Sequence, residues 1–238
     1  MISIFRLAAG AAAVCALAAC TITLSPTGPT LHESKVIDAD KFEMSRIELR
    51  MGAGELNLQG GSSQLLEADF QYNVPAWKPL VESNAATFRA DVRISQPTGV
   101  SASGHAVNKW DLRISDRLPT NLIAHLGAGN AQMVLGSVDL ENLEVHMGVG
   151  KLMLDLRGQP KRDYTANIEG GVGEAAIYVP NDEKIGVSAT AKGGIGEISV
   201  EGLERGDHRW LSRGYDRAPV RIHLEVAGGV GAIRLIAQ

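Results

Sequence analysis

Cysteine is nearly absent from this chain of 238 residues. The two cysteines present, Cys15 and Cys20, both lie within the first twenty residues. The rest of the chain can therefore form no disulfide and offers no free thiol, even in a compartment that permits disulfides.

Other absences exclude whole classes of function. The chain has 23 basic and 27 acidic residues and a formal net charge of −4, with no basic stripe, which argues against a nucleic-acid partner. It contains no Gly-x-Ser-x-Gly motif and no row of aspartates like that of a polysaccharide lyase. We therefore predict a protein that is not an enzyme and has no catalytic residues and no cofactor. An enzyme acting on envelope glycans is the least favoured alternative.

The first twenty residues have the layout of an export signal. Arg6 precedes an apolar, alanine-rich stretch that is too short to span a bilayer, and the stretch ends at Leu17-Ala18-Ala19-Cys20. This ending resembles the bacterial lipobox, whose cysteine is diacylated before cleavage and N-acylated afterwards. It predicts a signal peptide over 1–19 and lipidation of Cys20. The alternative is an ordinary Ala-x-Ala signal peptide with an incidental cysteine.

The residues after Cys20 predict how and where the protein is anchored. Residues 20–35 contain prolines, threonines and a glycine without apolar periodicity, which predicts a flexible tether reaching up to about 40 Å from the lipid. Thr21 is not the aspartate associated with inner-membrane retention. We expect a location in the cell envelope, at the outer membrane if the cell is Gram-negative, with the lipid as the membrane contact.

A Gly-x-Gly phrase recurs six times and organises the rest of the chain. The first glycines are separated by intervals of 75, 21, 23, 23 and 35 residues, and a period of twenty-odd residues is typical of stacked units. The glycines that we predict to form structural corners are Gly52 and Gly54, Gly127 and Gly129, Gly148 and Gly150, Gly171 and Gly173, Gly194 and Gly196, and Gly229 and Gly231.

Apolar residues alternate with polar ones on both sides of each phrase, which is the period of a β-strand. The alternation slips by one residue across the glycines, which indicates a bulge or sharp bend. Each unit is thus predicted to be strand, corner, strand and turn. We predict an all-β fold with a β-solenoid over 120–238, its coils parallel and right-handed. An antiparallel sandwich of hairpins is the alternative.

Residues 36–119 interrupt the repeat after its first phrase. Strand-like stretches over 65–72, 87–94 and 110–114 alternate there with proline- and glycine-rich segments. We interpret 36–119 as a cap, because the end of a solenoid needs an atypical unit to cover its last exposed strand. Trp77 and Trp110 are expected to pack within this cap.

Several motifs of the cap and the repeat resemble the bacterial toast-rack family. They are Gly52-Ala53-Gly54-Glu55-Leu56, the group Asn73, Trp77 and Pro79, Asn108-Lys109-Trp110-Asp111-Leu112, Pro119, the serial Gly-x-Gly phrases and the insert 213–218. Its N-terminal module precedes a repetitive β domain that is related to cell-wall-active-antibiotic response proteins. The resemblance covers nearly all of 45–238. It implies a non-enzymatic, adhesin-like β-solenoid and supplies no catalytic residues.

Two polar rows are the candidate surfaces of the repeat. The position two before each Gly-x-Gly is occupied by Arg50, His125, His146, Glu169 and Lys192. His125, His146 and Glu169 would be neighbours if their units are successive coils, and their side chains are zinc ligands. A solvated polar face is the favoured interpretation, so we assign no metal site. The position after each second glycine (Glu55, Asn130, Lys151, Glu174, Glu197, Ala232) predicts a second such row.

One repeat formally matches a dinucleotide-binding fingerprint, Gly171-x-Gly173-x-x-Ala176. That motif works only where a strand turns into a helix, whereas here a strand continues to Pro180. No cofactor is expected at this position.

Trp210, Arg213 and Tyr215 form the candidate partner contact, in an insert before the last strand. The whole sequence predicts a lipid-anchored envelope protein that works by binding, as a scaffold or adhesin-like module, with an envelope protein or glycan as its partner. The alternative is a regulator of envelope-stress or cell-wall-antibiotic signalling.

Overall fold

A computed structural model describes residues 23–39 and 42–238, and this part of the chain is built almost wholly from β-strands. Two single-turn 3₁₀ helices, Pro75–Trp77 and Tyr215–Arg217, are its only helices. The strands are β1 (Thr23–Pro26), β2 (Leu31–Ile37), β3 (Met44–Ser62), β4 (Leu66–Tyr72), β5 (Leu80–Ala86), β6 (Arg89–Ser95), β7 (Val100–Ser103), β8 (Asn108–Ser115), β9 (Thr120–Val134), β10 (Leu140–Asp155), β11 (Tyr164–Val179), β12 (Ile185–Ile195), β13 (Ile198–Glu201), β14 (Glu204–Arg205), β15 (Trp210–Leu211) and β16 (Val220–Ala237). The predicted all-β class is confirmed.

Each Gly-x-Gly phrase lies within or at the end of a long strand. The second glycine of every phrase has a positive φ, between 135° and 150°, which L side chains rarely adopt. The loop between β9 and β10 is short, because only five residues separate the two strands. Five residues span less than about 20 Å. The chain can therefore begin β10 beside the start of β9 only if β9 bends back on itself. We call β3, β9, β10, β11, β16 and β12 the rung strands.

The glycines also let neighbouring rungs approach each other at the bend. A Cβ on Gly148 would lie 2.3 Å from the backbone oxygen of Gly127, and one on Gly150 would lie 1.7 Å from that of Gly129. The same clash recurs along the stack, so both glycines of a phrase are needed because the next rung fills the space of a side chain. Gly52 differs, since a Cβ there would lie 3.5 Å from its nearest atom, the side-chain oxygen of Gln96.

The rung strands pair in parallel in the order β3, β9, β10, β11, β16, β12. This parallel pairing decides against a sandwich of antiparallel hairpins. The order differs from a serial stack, because the last strand inserts between β11 and β12. The longer interval of 35 residues before the last phrase supplies the chain for this crossover, and it contains β14, β15 and the second 3₁₀ helix.

The rungs stack equivalent apolar residues to form one core. Leu122 on β9 pairs with Leu143 on β10, which pairs with Ala166 on β11, and all three are buried. Beyond the bend, Met133, Leu154 and Ile177 form a second buried row. The apolar alternation in the sequence is thus the inner face of each bent strand.

The residues before β9 cover the free side of β3, the first rung. β6 pairs with β3 before the corner and β8 pairs with it after the corner. Between them, the side-chain oxygen of Gln96 accepts hydrogen bonds from the backbone N–H groups of Gly52 (2.9 Å) and Ala53 (3.1 Å). Gln96 thus supplies the acceptor at this corner that another rung would otherwise provide.

Asn108 completes this covering of the corner. Its Nδ2 donates to the backbone oxygen of Ala53 (2.6 Å) and to the Oε1 of Gln96 (3.0 Å), and its Oδ1 accepts from Trp110 Nε1 (3.0 Å). Trp110 is fully buried and meets Phe70 edge to face at 5.7 Å. Trp77 is also buried, with its Nε1 donating to Val100 O. The predicted packing of both tryptophans is confirmed.

Strands replace most of the predicted tether. β1 pairs in parallel with β7, and β2 pairs in antiparallel fashion with β4 over 31–37, which corrects the expectation of a flexible segment over 20–35. Most side chains of β2 are exposed, so the strand is held by main-chain pairing and shows no apolar periodicity. The predicted signal peptide and Cys20 lie outside the described residues. No helix in residues 23–39 and 42–238 is long and apolar enough to cross a membrane.

Candidate functional site

The position two before each Gly-x-Gly forms one continuous row across the rungs, as the sequence predicted. We call it the corner row. Its members, in sheet order, are Arg50, His125, His146, Glu169, Ala227 and Lys192. The parallel register therefore brings together residues that lie up to 177 positions apart in the sequence.

Two histidines stack at the centre of the corner row. The rings of His125 and His146 lie 4.9 Å apart between centroids and are inclined by 10°. His146 Nδ1 is 3.0 Å from Glu169 Oε2, and its Nε2 is 3.9 Å from Glu144 Oε2. Carboxylates thus lie near both ring nitrogens of His146.

Arg50, at the other end of the row, belongs to an ion-pair group. Its guanidinium contacts Glu48, which is buried and also receives Arg93 Nη2 at 3.0 Å. Desolvation raises the pKa of Glu48, but the hydrogen bonds from Arg50 and Arg93 outweigh it, so this pKa is below its ordinary value. Glu48 is therefore a carboxylate that holds two arginines in place.

A groove of about 620 Å³ follows the corner row. It is lined by the backbone of the first glycines of four rungs and by the side chains of Arg50, His125, His146, Glu169, Gln96 and Thr98. The groove carries both donors and acceptors, and its glycine-rich wall lets a ligand approach the backbone closely.

The geometry gives no support to metal or dinucleotide binding. Within residues 23–39 and 42–238, no group of three His, Cys, Asp or Glu side chains is placed to hold a metal ion. The stacked rings of His125 and His146 face each other, so their nitrogens do not converge on one point. Gly171 and Gly173 lie inside β11, with no following helix for a pyrophosphate.

The second polar row also lies in register. Glu55, Asn130, Lys151, Glu174 and Ala232 are neighbours on successive rungs. Lys151 pairs with Glu174 at 3.3 Å, and Glu55 pairs with Lys109 at 2.9 Å. These exposed, mutually compensating charges form a solvated face.

The sequence analysis missed an exposed apolar row between the glycines, which we call the corner ridge. It consists, in sheet order, of Ala53, Ala128, Val149, Val172, Val230 and Ile195. The exposed fractions of the last four are 53%, 50%, 47% and 73%. The middle residue of each phrase could have predicted this row. It is apolar in all six repeats, and the glycines on either side have no side chain to shield it from water.

With this geometry established, the comparisons with known proteins identify the family. Residues 26–178 match the family described as the N-terminal domain of toast_rack. The chain belongs to the toast-rack family. The match begins before the predicted cap and extends through three rungs beyond β3. No curated protein matches the toast-rack chain.

Solved structures similar to this chain include that of a candidate cell adhesion protein from Clostridium sporogenes. It is 31% identical, with a TM-score of 0.84 over 88% of this chain and 100% of its own. A candidate adhesin from Bacteroides fragilis is 11% identical, with a TM-score of 0.34 over 88% of this chain and 98% of its own.

The predicted partner contact of the toast-rack chain lies beside β12. Trp210 is half-buried and pairs with Ala189 on β12. The Tyr215 ring lies 5.7 Å from the guanidinium carbons of both Arg209 and Arg221. Arg213 is exposed and lies 3.7 Å from Glu204. The insert therefore offers Trp210 beside β12 and a tyrosine that lies near two arginines.

The stacked histidines predict a pH-dependent stability for the toast-rack chain. Desolvation, followed by the charges of His146 and Arg50, lowers the pKa of His125 below its ordinary value of 6.5. Stability is therefore fully present above pH 6.5 and is lost as the pH falls through the lowered pKa of the folded chain. We expect the unfolding temperature to drop between about pH 7.5 and pH 5, and His125→Gln to make this drop smaller.

Calorimetry over this pH range checks the expectation. His208→Gln, at an exposed histidine outside the row, is the matched control and should keep the full slope. An unchanged slope in His125→Gln would show that the stack does not determine the acid response.

Proposed function

We propose that this toast-rack chain is a non-catalytic, lipid-anchored protein of the cell envelope that acts as an adhesin-like binding module. The observation that carries the proposal is the likeness to the Clostridium sporogenes candidate cell adhesion protein, over the whole of that chain and at 31% identity. The regular parallel rungs support it, because we interpret them as a short β-solenoid with a long, uniform surface. Such a surface suits an extended partner better than a small substrate.

The groove along the corner row, which we call the corner groove, is the binding surface that best fits this function. It runs across successive rungs and carries a guanidinium, imidazoles, a carboxylate and amides. A glycan chain offers hydroxyl groups that both donate and accept, so it can use every one of these side chains. We therefore place a glycan of the envelope in the groove, with Trp210 as a separate stacking contact.

The lipid on Cys20 would hold the fold close to the membrane. Only Thr21 and Ile22 lie between this cysteine and β1, and three residues span at most about 11 Å. Because β1 pairs with β7, this end of the molecule would face the lipid. The anchor thus gives the groove a defined position above the membrane in place of a long tether.

Co-sedimentation of purified residues 21–238 with isolated sacculi and with outer-membrane vesicles tests the binding function. We expect saturable binding to sacculi, weakened at least about fivefold by Glu169→Ala in the groove. The matched control is Glu174→Ala, on the same strand but in the second polar row, which should bind like the original chain. Binding to neither material would contradict the proposal and favour a protein partner, and with it the regulatory alternative.

Trp210→Ala provides a second test with the same assay. Because the indole is half-buried at the side of the sheet, we expect the variant to fold and to lose part of the binding. Thermal unfolding must accompany the binding curve. A collapse of the unfolding temperature would show that Trp210 belongs to the core and is not a contact.

A further inference from the structure

The stack of rungs is covered at one end and open at the other. Its first strand, β3, is covered by β6, β8 and Gln96. Its last strand, β12, pairs with β16 on one side, and on the other side only Ser188 and Ala189 pair, with β15. Within the described part of the chain, no strand pairs with the outer side of 190–201. The backbone N–H and C=O groups of this edge can accept another strand.

The open edge is also apolar. Ile195, the last member of the corner ridge, is 73% exposed, and Ile198, which pairs with Ile233 beyond the bend, is 38% exposed. Behind them lies an apolar cavity of about 50 Å³, lined by Ile195, Ile198 and Ile233 among others. The cavity lies next to the row that continues from Met147 on β10. In the later rungs this position is occupied by a glycine, namely Gly170, Gly228 and Gly193. A strand laid on this edge would remove the isoleucines from water.

The open edge carries one positive and one negative side chain, so that the edges of two copies can be complementary in charge. Lys192 precedes the corner at Ile195 and Glu197 follows it. A two-fold axis through the corner maps one side of the bend onto the other and reverses the strand direction. It would place Ile195 of two copies side by side, and Lys192 of each copy close to Glu197 of the other. Neither lysine nor glutamate has an ion-pair partner among the described residues closer than 4.0 Å.

We propose that two copies of this chain associate through this edge, with residues 190–199 of each pairing in antiparallel fashion about a two-fold axis near Ile195. The arrangement is isologous and closed, so it ends in a dimer and not in a filament. It goes beyond the proposed binding function, because it joins two corner grooves and two predicted lipid anchors in one particle. Two linked sites bind an extended partner more tightly than one.

Sedimentation equilibrium of purified residues 21–238 tests the dimer. We expect a dimer at about 10 μM and a monomer for Ile195→Lys, which places two like charges at the axis. Val149→Lys is the matched control, since Val149 occupies the same ridge position on an inner rung and should leave the dimer intact. Circular dichroism must show that both variants are folded.

A charge exchange makes the test specific. Lys192→Glu and Glu197→Lys should each raise the dissociation constant of the dimer at least about tenfold, and the double variant should restore it. If the original chain is a monomer at 100 μM, the proposal is overturned. This holds even if the edge then proves to bind a strand of another protein. Equal dissociation by Val149→Lys would likewise overturn it, because the contact would then be the whole ridge and not the edge.

Discussion

Replacing Gly173 by alanine is expected to cost more than about 4 kcal/mol of unfolding free energy, which is a large part of the stability of a typical domain. Gly173 has a φ of 144°, and a Cβ there would lie 1.8 Å from the backbone oxygen of Gly150. This clash cannot relax locally, because the new Cβ and the oxygen of Gly150 are both fixed to the backbones of adjacent rungs. Urea unfolding followed by circular dichroism measures the effect.

Gly170, three residues earlier on the same strand, is the control for this prediction. A Cβ at Gly170 would lie 3.9 Å from its nearest neighbour, the backbone oxygen of Ala227, and so meets only ordinary contact. Gly170→Ala should change the unfolding free energy by less than about 1 kcal/mol. If Gly173→Ala does not fold, Gly171→Ala gives the intermediate case, since it combines a 2.3 Å clash with an ordinary φ. Equal stability of all three variants would contradict the role of the corners.

Asn108→Ala has the second largest expected effect, a loss of about 2–4 kcal/mol. The substitution removes two donated hydrogen bonds and leaves the indole N–H of fully buried Trp110 without its acceptor. An unsatisfied buried donor bears its full desolvation cost, so the loss exceeds that of an exposed hydrogen bond. It also frees Gln96, which covers the first corner. The denaturant midpoint of the variant measures the loss.

The matched control for Asn108 is Asn57, on β3. The Nδ2 of Asn57 also donates to a side chain, Asp111 Oδ1 at 2.7 Å, but this bond is exposed. Asn57→Ala should therefore cost less than about 1 kcal/mol, because water replaces the lost partner. Similar losses at both positions would mean that burial of the amide network does not stabilise the cap.

Much of the repeat could be predicted from the sequence because period-two alternation and paired glycines have few structural solutions. The alternation indicated strands, and the intervals of 21 and 23 residues predicted that His125, His146 and Glu169 would be neighbours, as the register shows. The slip across the glycines indicated a bend, which the positive φ of the second glycine explains.

The remaining features depend on information that local pattern does not carry. β16 could pair with either edge of β12, and the interval of 35 residues is long enough for both. In the structure it takes the edge that faces β11. β2 is held by main-chain pairing with exposed side chains, so it leaves no apolar signature. Gln96 covers the corner of β3 from a distance of 44 residues in sequence, and a single glutamine before a proline carries no signal of that role.

Fractionation of the cells that make this protein tests the central claim, an envelope protein held by a lipid and by a binding surface. We expect the full chain in the membrane fraction. A variant whose residues 1–20 are replaced by a cleavable export signal without a lipidation cysteine should leave the membrane fraction but still sediment with sacculi, and adding Glu169→Ala should weaken this sedimentation at least about fivefold. Retention of this variant in the membrane would contradict the lipid anchor, and its complete release from the sacculi would contradict the binding function.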